Sequence, residues 1–565
     1  MSSTPVNKTP SVMMTPMTES SQDEISYAKL FKPSDFEGKR LEDLTFFECD
    51  YLLRCVDGLF CGKQVRLRDF GSPIIIGSKE NDCNFYLEDP DVSPKHCKLT
   101  YVENSFYYII EDCKSKTGTW MEILTIEDSY EIPENTDFIL FNHEFSLIYV
   151  KEKEDSDIHC ILKFTKGPLK SKTVQIKKNT TFYIEKKEQN SKDEPDKLFL
   201  ELDGAMGSIK FKIISNEGKI FIIDETKEYY EGRMFFRINK QLVRAGDCFK
   251  IGSSYFKIIS YNYGFFNELG DRQFQEDRYV LIDDLRISEE IIMPYFAVYD
   301  GHGGNTCSEF VKQYLHNELH YFLKRDEIIN SSNFLPDLIE AIQKVIILVD
   351  INYYDSIPNF SVNHGSTCVF VFFIGTYLLC CNLGDSVSIL LKRGYIKDGK
   401  KESRRIYLSR DFNPSREKEK QRITFRKGFI TNDGRLLGTI SVSRSFGDWK
   451  YKDKTKQKIL KKDQEFDEYL ISNRAEFRLL ELNPNADKYV ILASDGVFQN
   501  KNHKTWCNIL YNYLDQEKEV DGTPFMPSAL DKFRLELVKN NQIDPNLKGS
   551  ADNMTLIAIK LFNDK

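Results

Sequence analysis

Hydrophobic and polar residues follow different patterns in the two halves of the chain. In the first half, short runs of aromatic and β-branched residues at 106–110, 219–223 and 255–259 are separated by turn-forming residues. Runs of this length and composition are typical of β-strands, and no convincing amphipathic helix of four turns occurs among them. Residues from about 45 to 262 are therefore predicted to form sheets.

The first half also contains an internal repeat. Residues 57–65 resemble residues 166–174, and a short apolar strand follows each of these segments. Each repeat has the length of a β-sandwich, roughly a hundred residues. The repeat predicts two consecutive all-β sandwich domains, at 45–150 and 158–262, joined by a charged linker at 151–157.

Longer periodic segments appear after residue 264. Two amphipathic helices are predicted, because apolar residues recur there at the spacing of one helical face. The two faces consist of Phe310, Val311, Tyr314, Leu315, Leu319 and Phe322, and of Leu338, Ile342, Val345, Ile346 and Val349. Strands alternate with these helices, so residues 264–565 are predicted to form an α+β domain.

One apolar run, residues 368–383, could be either a transmembrane helix or buried strands. A spanning helix requires about 20 apolar residues, and this run is shorter. Gly375-Thr376 stands near its middle, and β-branched and aromatic residues dominate each half. Two buried strands joined by a tight turn fit this pattern better than a transmembrane helix.

Composition and charge narrow the class of protein. The chain has 565 residues, of which 41% are hydrophobic and 29% charged, as in an ordinary soluble protein. Its net charge of -8 argues against general binding to nucleic acid or an anionic membrane. Thirteen cysteines without a Cys-x-x-Cys motif indicate reduced thiols, and hence the cytoplasm or nucleus. Residues 1–44, rich in Ser, Thr, Pro and charge, are expected to be a disordered tail.

Acidic residues stand beside glycine or at the ends of apolar strands at several points of the second half. These segments are Glu276-Asp277, Asp300-Gly301, Asp495-Gly496 and Asp552-Asn553. Converging carboxylates repel one another unless a hard cation lies between them, and oxygen-only ligands favour magnesium or manganese. A single Asp-Gly pair is more often a simple turn, so the metal interpretation depends on the whole set.

Further motifs extend this set along the second half. In chain order they are Arg272-x-x-x-Glu276-Asp277, Phe296-Ala297-Val298-Tyr299-Asp300-Gly301-His302-Gly303-Gly304, Gly365-Ser366-Thr367, Asn382-Leu383-Gly384-Asp385-Ser386, Ser441-Val442-Ser443-Arg444-Ser445-Phe446-Gly447-Asp448, Ala493-Ser494-Asp495-Gly496 and Asp552-Asn553-Met554-Thr555. With them, residues 264–562 resemble the catalytic domain of the type 2C metal-dependent protein serine/threonine phosphatases. The resemblance implies a central β-sandwich flanked by helices, in αββα layers.

The same resemblance implies a set of metal ligands. Its members would be Asp300, Gly301, Glu276, Asp277, Asp495, Asp552 and Asp385. Asp300 would bridge two magnesium or manganese ions, and Asp385 with Asp495 would form a possible third site. Two cations would lower the pKa of a bridging water, so that hydroxide could attack phosphorus directly near neutral pH.

Two further residues receive catalytic roles from the resemblance. Arg272 would bind the phosphate oxygens through its planar guanidinium, and His302 would protonate the leaving serine or threonine oxygen. Taken singly, Arg272 could equally be a surface ion pair and His302 a turn residue. The chain departs from the common pattern at Gln275 and at Ser445-Phe446, neither of which is expected to touch the implied ligands.

Residues 73–123 resemble a forkhead-associated domain, the sandwich that binds phosphothreonine. The Ser-x-x-His element lies at 83–96 and a second element at 112–120. In this family the serine contacts phosphate, so the implied phosphopeptide set is Ser93, Lys79, Lys95 and Thr117. The arginines expected after Gly77 and Ser93 are replaced by Ser78 and Pro94, which leaves the two lysines to supply positive charge.

The second repeat is more degenerate. Gly207 and Lys210 stand where the serine and histidine would be, so this sandwich is interpreted as structural. Two functions remain open from the sequence: a phosphatase acting on phosphorylated proteins, or a phosphoprotein-binding scaffold with little phosphatase activity. The sandwiches could recruit partners or inhibit the enzyme, or simply pack. The substrate protein, the physiological metal and the oligomeric state stay open.

Overall fold

The structure of the protein is a computed structural model. It describes residues 27–44, 51–61, 63–67, 73–102, 107–123, 130–133, 135–140, 143–150, 157–187, 196–200, 210–216, 219–224, 234–283, 285, 287, 292–357, 363–397, 400–452, 469–499, 503–516, 519–520, 523–524, 526–543 and 551–562. Two compact units are present. The N-terminal unit comprises Glu48–Asn262 and Glu517–Pro527, and the C-terminal unit comprises Met1–Phe47, Tyr263–Gln516 and Ser528–Lys565.

The N-terminal unit is built from strands. They are β1 (Leu52–Asp57), β2 (Gln64–Arg66), β3 (Ile74–Gly77), β4 (Phe85–Tyr86), β5 (Cys97–Tyr101), β6 (Tyr108–Asp112), β7 (Thr119–Glu122), β8 (Tyr130–Glu131), β9 (Thr136–Leu140), β10 (His143–Tyr149), β11 (Ile158–Lys166), β12 (Thr173–Lys177), β13 (Thr181–Lys186), β14 (Lys197–Leu200), β15 (Lys210–Asn216), β16 (Lys219–Asp224), β17 (Met234–Ile238), β18 (Lys240–Val243), β19 (Cys248–Ile251) and β20 (Ser254–Ile259). The prediction of an all-β first half is confirmed.

Three sheets organise these strands. The largest has the order β12-β11-β10-β9-β17-β7-β19-β20-β1-β2, and the others have the orders β14-β13-β15-β16-β8 and β18-β6-β5-β3-β4. One continuous hydrophobic core, which includes Leu53, Ile110, Phe138, Phe211 and Phe256, lies among them. Buried residues alternate with less buried ones along strands such as β9, β10 and β13, because successive side chains of a strand point to opposite faces.

The repeat predicted two consecutive sandwiches with the limits 45–150 and 158–262. In the structure the sandwiches do not follow one another along the chain. Strand β7 pairs with both β17 and β19, β6 pairs with β18, and β1 pairs with β20. Strands near the end of the second predicted domain therefore complete the sheets of the first. Local periodicity reveals strands but not their distant partners, which is why the sequence pattern gave the wrong boundary.

The C-terminal unit combines strands with helices. Its strands are β21 (Asn262–Glu268), β22 (Arg278–Ile282), β23 (Tyr295–Tyr299), β24 (Gly301–His302), β25 (Gly365–Ser366), β26 (Cys368–Ile374), β27 (Tyr377–Leu383), β28 (Val387–Lys392), β29 (Tyr395–Lys397), β30 (Lys400–Glu402), β31 (Arg405–Tyr407), β32 (Phe446–Gly447), β33 (Glu476–Glu481), β34 (Asp487–Ala493) and β37 (Met554–Lys560). The hairpin of β35 (Glu519–Val520) and β36 (Thr523–Pro524), which precedes β37 in the chain, belongs to the N-terminal unit. The helices are α1 (Thr306–Leu323), α2 (Asp326–Ile329), α3 (Phe334–Ser356), α4 (Glu417–Phe425), α5 (His503–Gln516) and α6 (Met526–Ile543).

Two five-stranded sheets form the centre of this unit, with the orders β21-β37-β34-β28-β31 and β22-β23-β26-β27-β33. Helices α1 and α3 share a hydrophobic core with β23, β26 and β27, and both predicted apolar faces contribute to it. On the other sheet, Tyr511 of α5 meets Tyr489 of β34, and Trp506 of α5 meets Phe533 of α6. The predicted α+β class, with sheets between helical layers, is confirmed.

The apolar run at 368–383 forms a hairpin, as predicted. Strands β26 and β27 pair along their whole length, and Gly375-Thr376 makes the turn. Every residue of β26 is buried, because this strand lies in the middle of a sheet that helices cover. None of the helices in the described part of the chain has the length and hydrophobicity that crossing a membrane requires.

Part of the segment predicted to be disordered is folded. The backbone N–H of Phe31 donates to the Phe477 carbonyl at 3.0 Å, and the buried Arg478 guanidinium donates to the Ala28 carbonyl. Leu41 and Leu44 are buried in the core of the C-terminal unit. The prediction of a disordered tail at 1–44 is therefore wrong for 27–44, where apolar residues too widely spaced to form a periodic face still pack. Residues 1–26 lie outside the described part of the chain.

Candidate active site

The residues predicted to bind metal lie at the ends of central strands in the C-terminal unit. Asp300 directly follows β23, and Asp495 directly follows Ser494 at the end of β34. Asp385 follows β27, and Asp552 stands just before β37. Because β23 belongs to one sheet and β34 and β37 to the other, side chains from both sheets meet at this edge. A strand end holds such a side chain more rigidly than a loop does.

Five carboxylates of the predicted metal-binding set act on one another electrostatically. Loss of hydration, followed by the charges of Asp277, Asp495 and Asp385, holds the pKa of Asp300 well above its ordinary value. Burial, together with the charges of Asp495 and Asp552, raises the pKa of Asp277 to about 7. Burial and the charge of Asp552 raise the pKa of Asp495 to about 6. Each carboxylate thus opposes ionisation of its neighbours, so a cation placed among them would be strongly favoured.

The loop before β37 fixes the acidic pair at 276–277. Asn553 accepts a hydrogen bond from the Glu276 backbone N–H at 2.8 Å and donates to the Leu269 carbonyl at 2.7 Å. The Thr555 hydroxyl donates to Asp277 Oδ2, also at 2.8 Å. These bonds tie residues that are distant in sequence, so Asn553 and Thr555 orient the carboxylates from behind.

Glycine allows two close backbone approaches at the same edge. A Cβ at Gly301 would lie 2.5 Å from the Glu276 carbonyl oxygen, and a Cβ at Gly496 would collide with the Asn553 carbonyl. No side chain fits at either position. The glycines of the two Asp-Gly pairs are therefore required by packing, in addition to any contact with a ligand.

Arg272 lies beside the carboxylates and faces solvent. Its Nη2 donates to Asp552 Oδ2 at 2.7 Å, and 51% of its side chain is exposed. Arg272, the predicted phosphate-binding residue, thus contacts Asp552, a predicted metal ligand. An exposed ion pair of this kind contributes little to stability, so the arginine can exchange this partner for an anion at small cost.

His302 contacts a residue to which the sequence assigned no role. Its Nε2 lies 2.7 Å from Asp448 Oδ2, and the Asp448 side chain is fully buried. Burial by itself would lower the pKa of His302, but the charge and hydrogen bond of Asp448 outweigh it and raise this pKa. The same contact holds the pKa of Asp448 below its ordinary value despite burial. The two residues form a buried acid–base pair at the edge of the carboxylate cluster.

The carboxylate cluster fits a hard divalent cation by chemistry. Its donors are oxygens, and their charges repel one another as described above. Among the residues that the structure describes, no group of three His, Cys, Asp or Glu side chains is arranged as a complete metal site. The set of metal ligands that the resemblance implies therefore stays a prediction, which the raised pKa values of Asp300, Asp277 and Asp495 favour.

The candidate phosphopeptide site of the N-terminal unit lies in the loop before β5. Buried His96 accepts from the Ser93 backbone N–H through Nδ1 at 3.2 Å and meets the Gly118 carbonyl through Nε2 at 3.0 Å. The Ser93 hydroxyl oxygen accepts from the Lys116 N–H at 2.9 Å, so its own hydrogen can point to a ligand. His96 therefore braces two loops at once.

The other three residues of this set lie near Ser93 in the sequence or the fold. Thr117 donates its hydroxyl hydrogen to the Asp91 carbonyl at 2.7 Å. Lys79 forms an exposed ion pair with Asp82 at 2.7 Å. Lys95 is exposed two residues after Ser93. Thr117 therefore serves the loop itself, whereas the two lysines are accessible to an anion.

Comparison with known proteins agrees with this geometry. The family model of protein phosphatase 2C matches residues 261–536, and that of the FHA domain matches residues 74–141. Integrin-linked kinase-associated serine/threonine phosphatase 2C of Homo sapiens is 30% identical over 308 residues, which cover 52% of this chain and 70% of that protein. Probable protein phosphatase 2C 6 of Paramecium tetraurelia is 30% identical over 297 residues, which cover 52% of this chain and 89% of that protein.

The chain belongs to the protein phosphatase 2C family. Both resemblances found in the sequence are confirmed: a serine/threonine phosphatase domain of the 2C type in the C-terminal unit and an FHA domain in the N-terminal unit. The crystal structure of a serine-threonine phosphatase 2C from Toxoplasma gondii aligns with a TM-score of 0.40 at 21% identity, covering 53% of this chain and 94% of that one.

Three polar residues of the 2C phosphatase domain support the site without having been singled out from the sequence. Asp411 adds a charge beside Asp385, whose pKa is held well above its ordinary value by loss of hydration and then by Asp495 and Asp411. The Thr367 N–H donates to the Asp300 carbonyl at 2.8 Å. Asp448 contacts His302. Two of the three lie in recognised motifs, but position in a motif does not say which side chain a residue will meet.

Proposed function

We propose that the C-terminal unit hydrolyses phosphoserine and phosphothreonine in proteins, with magnesium or manganese bound at the carboxylate cluster. The observation that carries the proposal is the set of buried carboxylates from both sheets that raise one another's pKa. Membership of the 2C phosphatase family supports the reaction class. A scaffold that only binds phosphoproteins would not need to assemble repelling carboxylates, which lowers stability.

The metal would be held by residues of the cluster. Asp300 stands at its centre, because its pKa responds to four other carboxylates. Asp495 and Asp552 would complete the main site, with Glu276, Asp277 and the Gly301 carbonyl beside it, and Asp385 would serve a further ion. When bound, such ions supply Lewis-acid polarisation and screen the phosphoryl charge.

Protein side chains would perform the remaining tasks. Arg272 would leave its exposed pairing with Asp552 and donate two N–H groups to the phosphate oxygens. His302 would donate a proton to the serine or threonine oxygen, which is otherwise a poor leaving group. Both residues lie at the cluster, so neither has to move far.

Metal dependence tests this proposal. We expect the full chain to hydrolyse p-nitrophenyl phosphate and a phosphothreonine peptide with manganese, and to lose nearly all activity in excess chelator because repelling carboxylates cannot bind phosphate. Initial rates at a series of manganese concentrations measure this. Activity that survives chelation, or a chain inactive at every manganese and magnesium concentration, would favour the scaffold instead.

We further propose that the FHA domain binds phosphothreonine peptides and concentrates phosphorylated partners on the same chain. Ser93 would donate its hydroxyl hydrogen to phosphate, since its oxygen already accepts from Lys116. Lys79 and Lys95 would supply charge in place of the missing arginines. Tethering a substrate in this way raises its effective concentration at a second site without any new contact there.

Peptide titration tests the docking proposal. Ser93→Ala is expected to weaken binding of a phosphothreonine peptide by about tenfold to a hundredfold, the usual loss of a hydrogen bond to a charged group. Calorimetry on the full chain measures it, with the unphosphorylated peptide as the first control. Lys98→Met is the matched control, because Lys98 pairs with Glu111 on strands β5 and β6. Equal affinity for both peptides would contradict the proposal.

A further inference from the structure

The contact between His302 and Asp448 is built by three neighbouring strand segments. Strand β24 carries His302, β25 begins with Gly365, and β32 ends at Gly447, directly before Asp448. Gly365 pairs with His302 on one side and with Gly447 on the other. The histidine and the carboxylate therefore face each other across the middle segment, and backbone pairing fixes their separation.

The middle segment has to be glycine at this point. A Cβ on Gly365 would collide with both Asp448 Oδ2 and His302 Nε2. The contact of 2.7 Å between those two atoms exists because no side chain stands between them. The contact between His302 and Asp448 therefore requires glycine at the first position of the Gly365-Ser366-Thr367 motif.

The Asp448 carboxylate is held in place from several sides. The Ser445 hydroxyl donates to Oδ2, the oxygen that faces His302, at 2.5 Å. Asn363 donates to Oδ1 at 3.1 Å. Asp448 also has a φ of 54° in the left-handed region, a conformation that its surroundings must impose. A buried carboxylate with this many donors cannot change its rotamer without leaving hydrogen bonds unmade.

We propose that Asp448 is the positioning residue for His302, and that Ser445 helps to hold it. This inference rests on the function proposed above. Asp448 takes the Nε2 hydrogen of the histidine, which leaves Nδ1 as the nitrogen that serves the leaving group. An aspartate that fixes the orientation of a histidine in this way is a known requirement of proton transfer in other hydrolases.

Each proton in the proposed reaction has a source and a destination. Water forms a bond to phosphorus and the bond from phosphorus to the serine or threonine oxygen breaks, with its electron pair passing to that oxygen. The oxygen takes the proton from Nδ1 of His302. The proton released by the attacking water restores the histidine through solvent. Asp448 stays ionised throughout and neither gains nor loses a proton.

The acidity of the leaving group separates this role from a purely structural one. Asp448→Asn is expected to lower kcat on a phosphoserine peptide by about a hundredfold, because an alkoxide needs the proton. On p-nitrophenyl phosphate, whose leaving group departs without a proton, the loss should stay under about threefold. Ser445→Ala should shift the ratio of the two rates in the same direction by a smaller factor.

A matched control is Asp487→Asn. Asp487 is a buried carboxylate of the same unit and accepts the Asn483 N–H at 2.7 Å, away from the candidate site. This variant should leave the ratio of the two rates at its wild-type value. If Asp448→Asn lowers both rates by the same factor, as a folding defect would, the positioning role is overturned.

A double variant tests independently whether Asp448 acts only through His302. His302→Ala with Asp448→Asn should be no slower on the phosphoserine peptide than His302→Ala alone, because the aspartate acts only through the histidine. Losses that multiply overturn the inference. A wild-type chain that hydrolyses neither substrate with manganese overturns the proposed function itself, whereas an active wild type with multiplying losses overturns only the role of Asp448.

Discussion

Asp300→Asn is expected to lower kcat on both p-nitrophenyl phosphate and a phosphothreonine peptide by at least about a thousandfold, since the Lewis-acid contribution of a bound metal is worth several kcal/mol. Asp300 is the carboxylate whose pKa responds to Asp277, Asp495, Asp385 and Asp552 together. Asparagine has nearly the same shape but no charge. It would remove the negative charge at the centre of the cluster, on which the other four carboxylates act.

The same variant should be more stable than the wild type in excess chelator. Removing one of several repelling carboxylates relieves like-charge repulsion when no cation is present. Thermal unfolding with and without manganese measures this, and the manganese-dependent rise in Tm should shrink in the variant. Asp326→Asn, the same change on an exposed residue of α2, is the control for rate and Tm. A variant that keeps wild-type rates would disprove the central role of Asp300.

Lys452→Met is expected to reduce the free energy of unfolding by about 3 to 5 kcal/mol, the usual cost of breaking a buried ion pair by removing one partner. The Lys452 ammonium lies 2.8 Å from Asp350 Oδ2, and both side chains are fully buried. It also donates to the Ser445 carbonyl at 2.8 Å. Methionine fills a similar volume, so the loss would come from the carboxylate left without its cation.

Denaturant unfolding measures this loss. Adding Asp350→Asn to Lys452→Met should recover part of it, because the uncompensated charge disappears while the amide oxygen of the asparagine can still accept the Gly447 N–H. Lys344→Met is the matched control, since Lys344 forms an exposed pair with Glu340 on α3, and it should change stability by less than about 0.5 kcal/mol. Equal losses in the buried and the exposed variants would show that burial of the pair is not what stabilises this region.

Periodicity in the sequence predicted the elements of the fold better than their pairing. The apolar faces of α1 and α3 and the hairpin of β26 and β27 follow from spacing alone, because each is formed by residues near one another in the chain. The pairing of β1 with β20 joins residues some two hundred positions apart, and no local pattern encodes it. The order of segment 27–44 cannot be predicted from the sequence for a related reason. Its few apolar residues pack separately against parts of the C-terminal unit that are distant in the sequence.

The candidate site shows the same division. Residue type and motif order indicated the acidic residues and His302, because carboxylates beside glycine at strand ends are uncommon as a set. Asp448 ends the motif that begins at Ser441, yet nothing in the neighbouring sequence indicates that it contacts His302 across a glycine. Ser445 departs from the common pattern of the family, and in the structure its hydroxyl donates to that same carboxylate.

The interleaved strands of the N-terminal unit bear on how the protein is made. On the ribosome, β1 emerges about two hundred residues before β20, its partner in the largest sheet. Until then the edge of β1 opposite β2 stays open, and both edges of β7 stay open until β17 and β19 follow. Unpaired strand edges are where growing chains associate wrongly. The FHA domain cannot finish folding before the segment that separates its strands has been synthesised. The greater part of the 2C phosphatase unit, from Tyr263 onward, thus begins to emerge only as the completed sheets become possible.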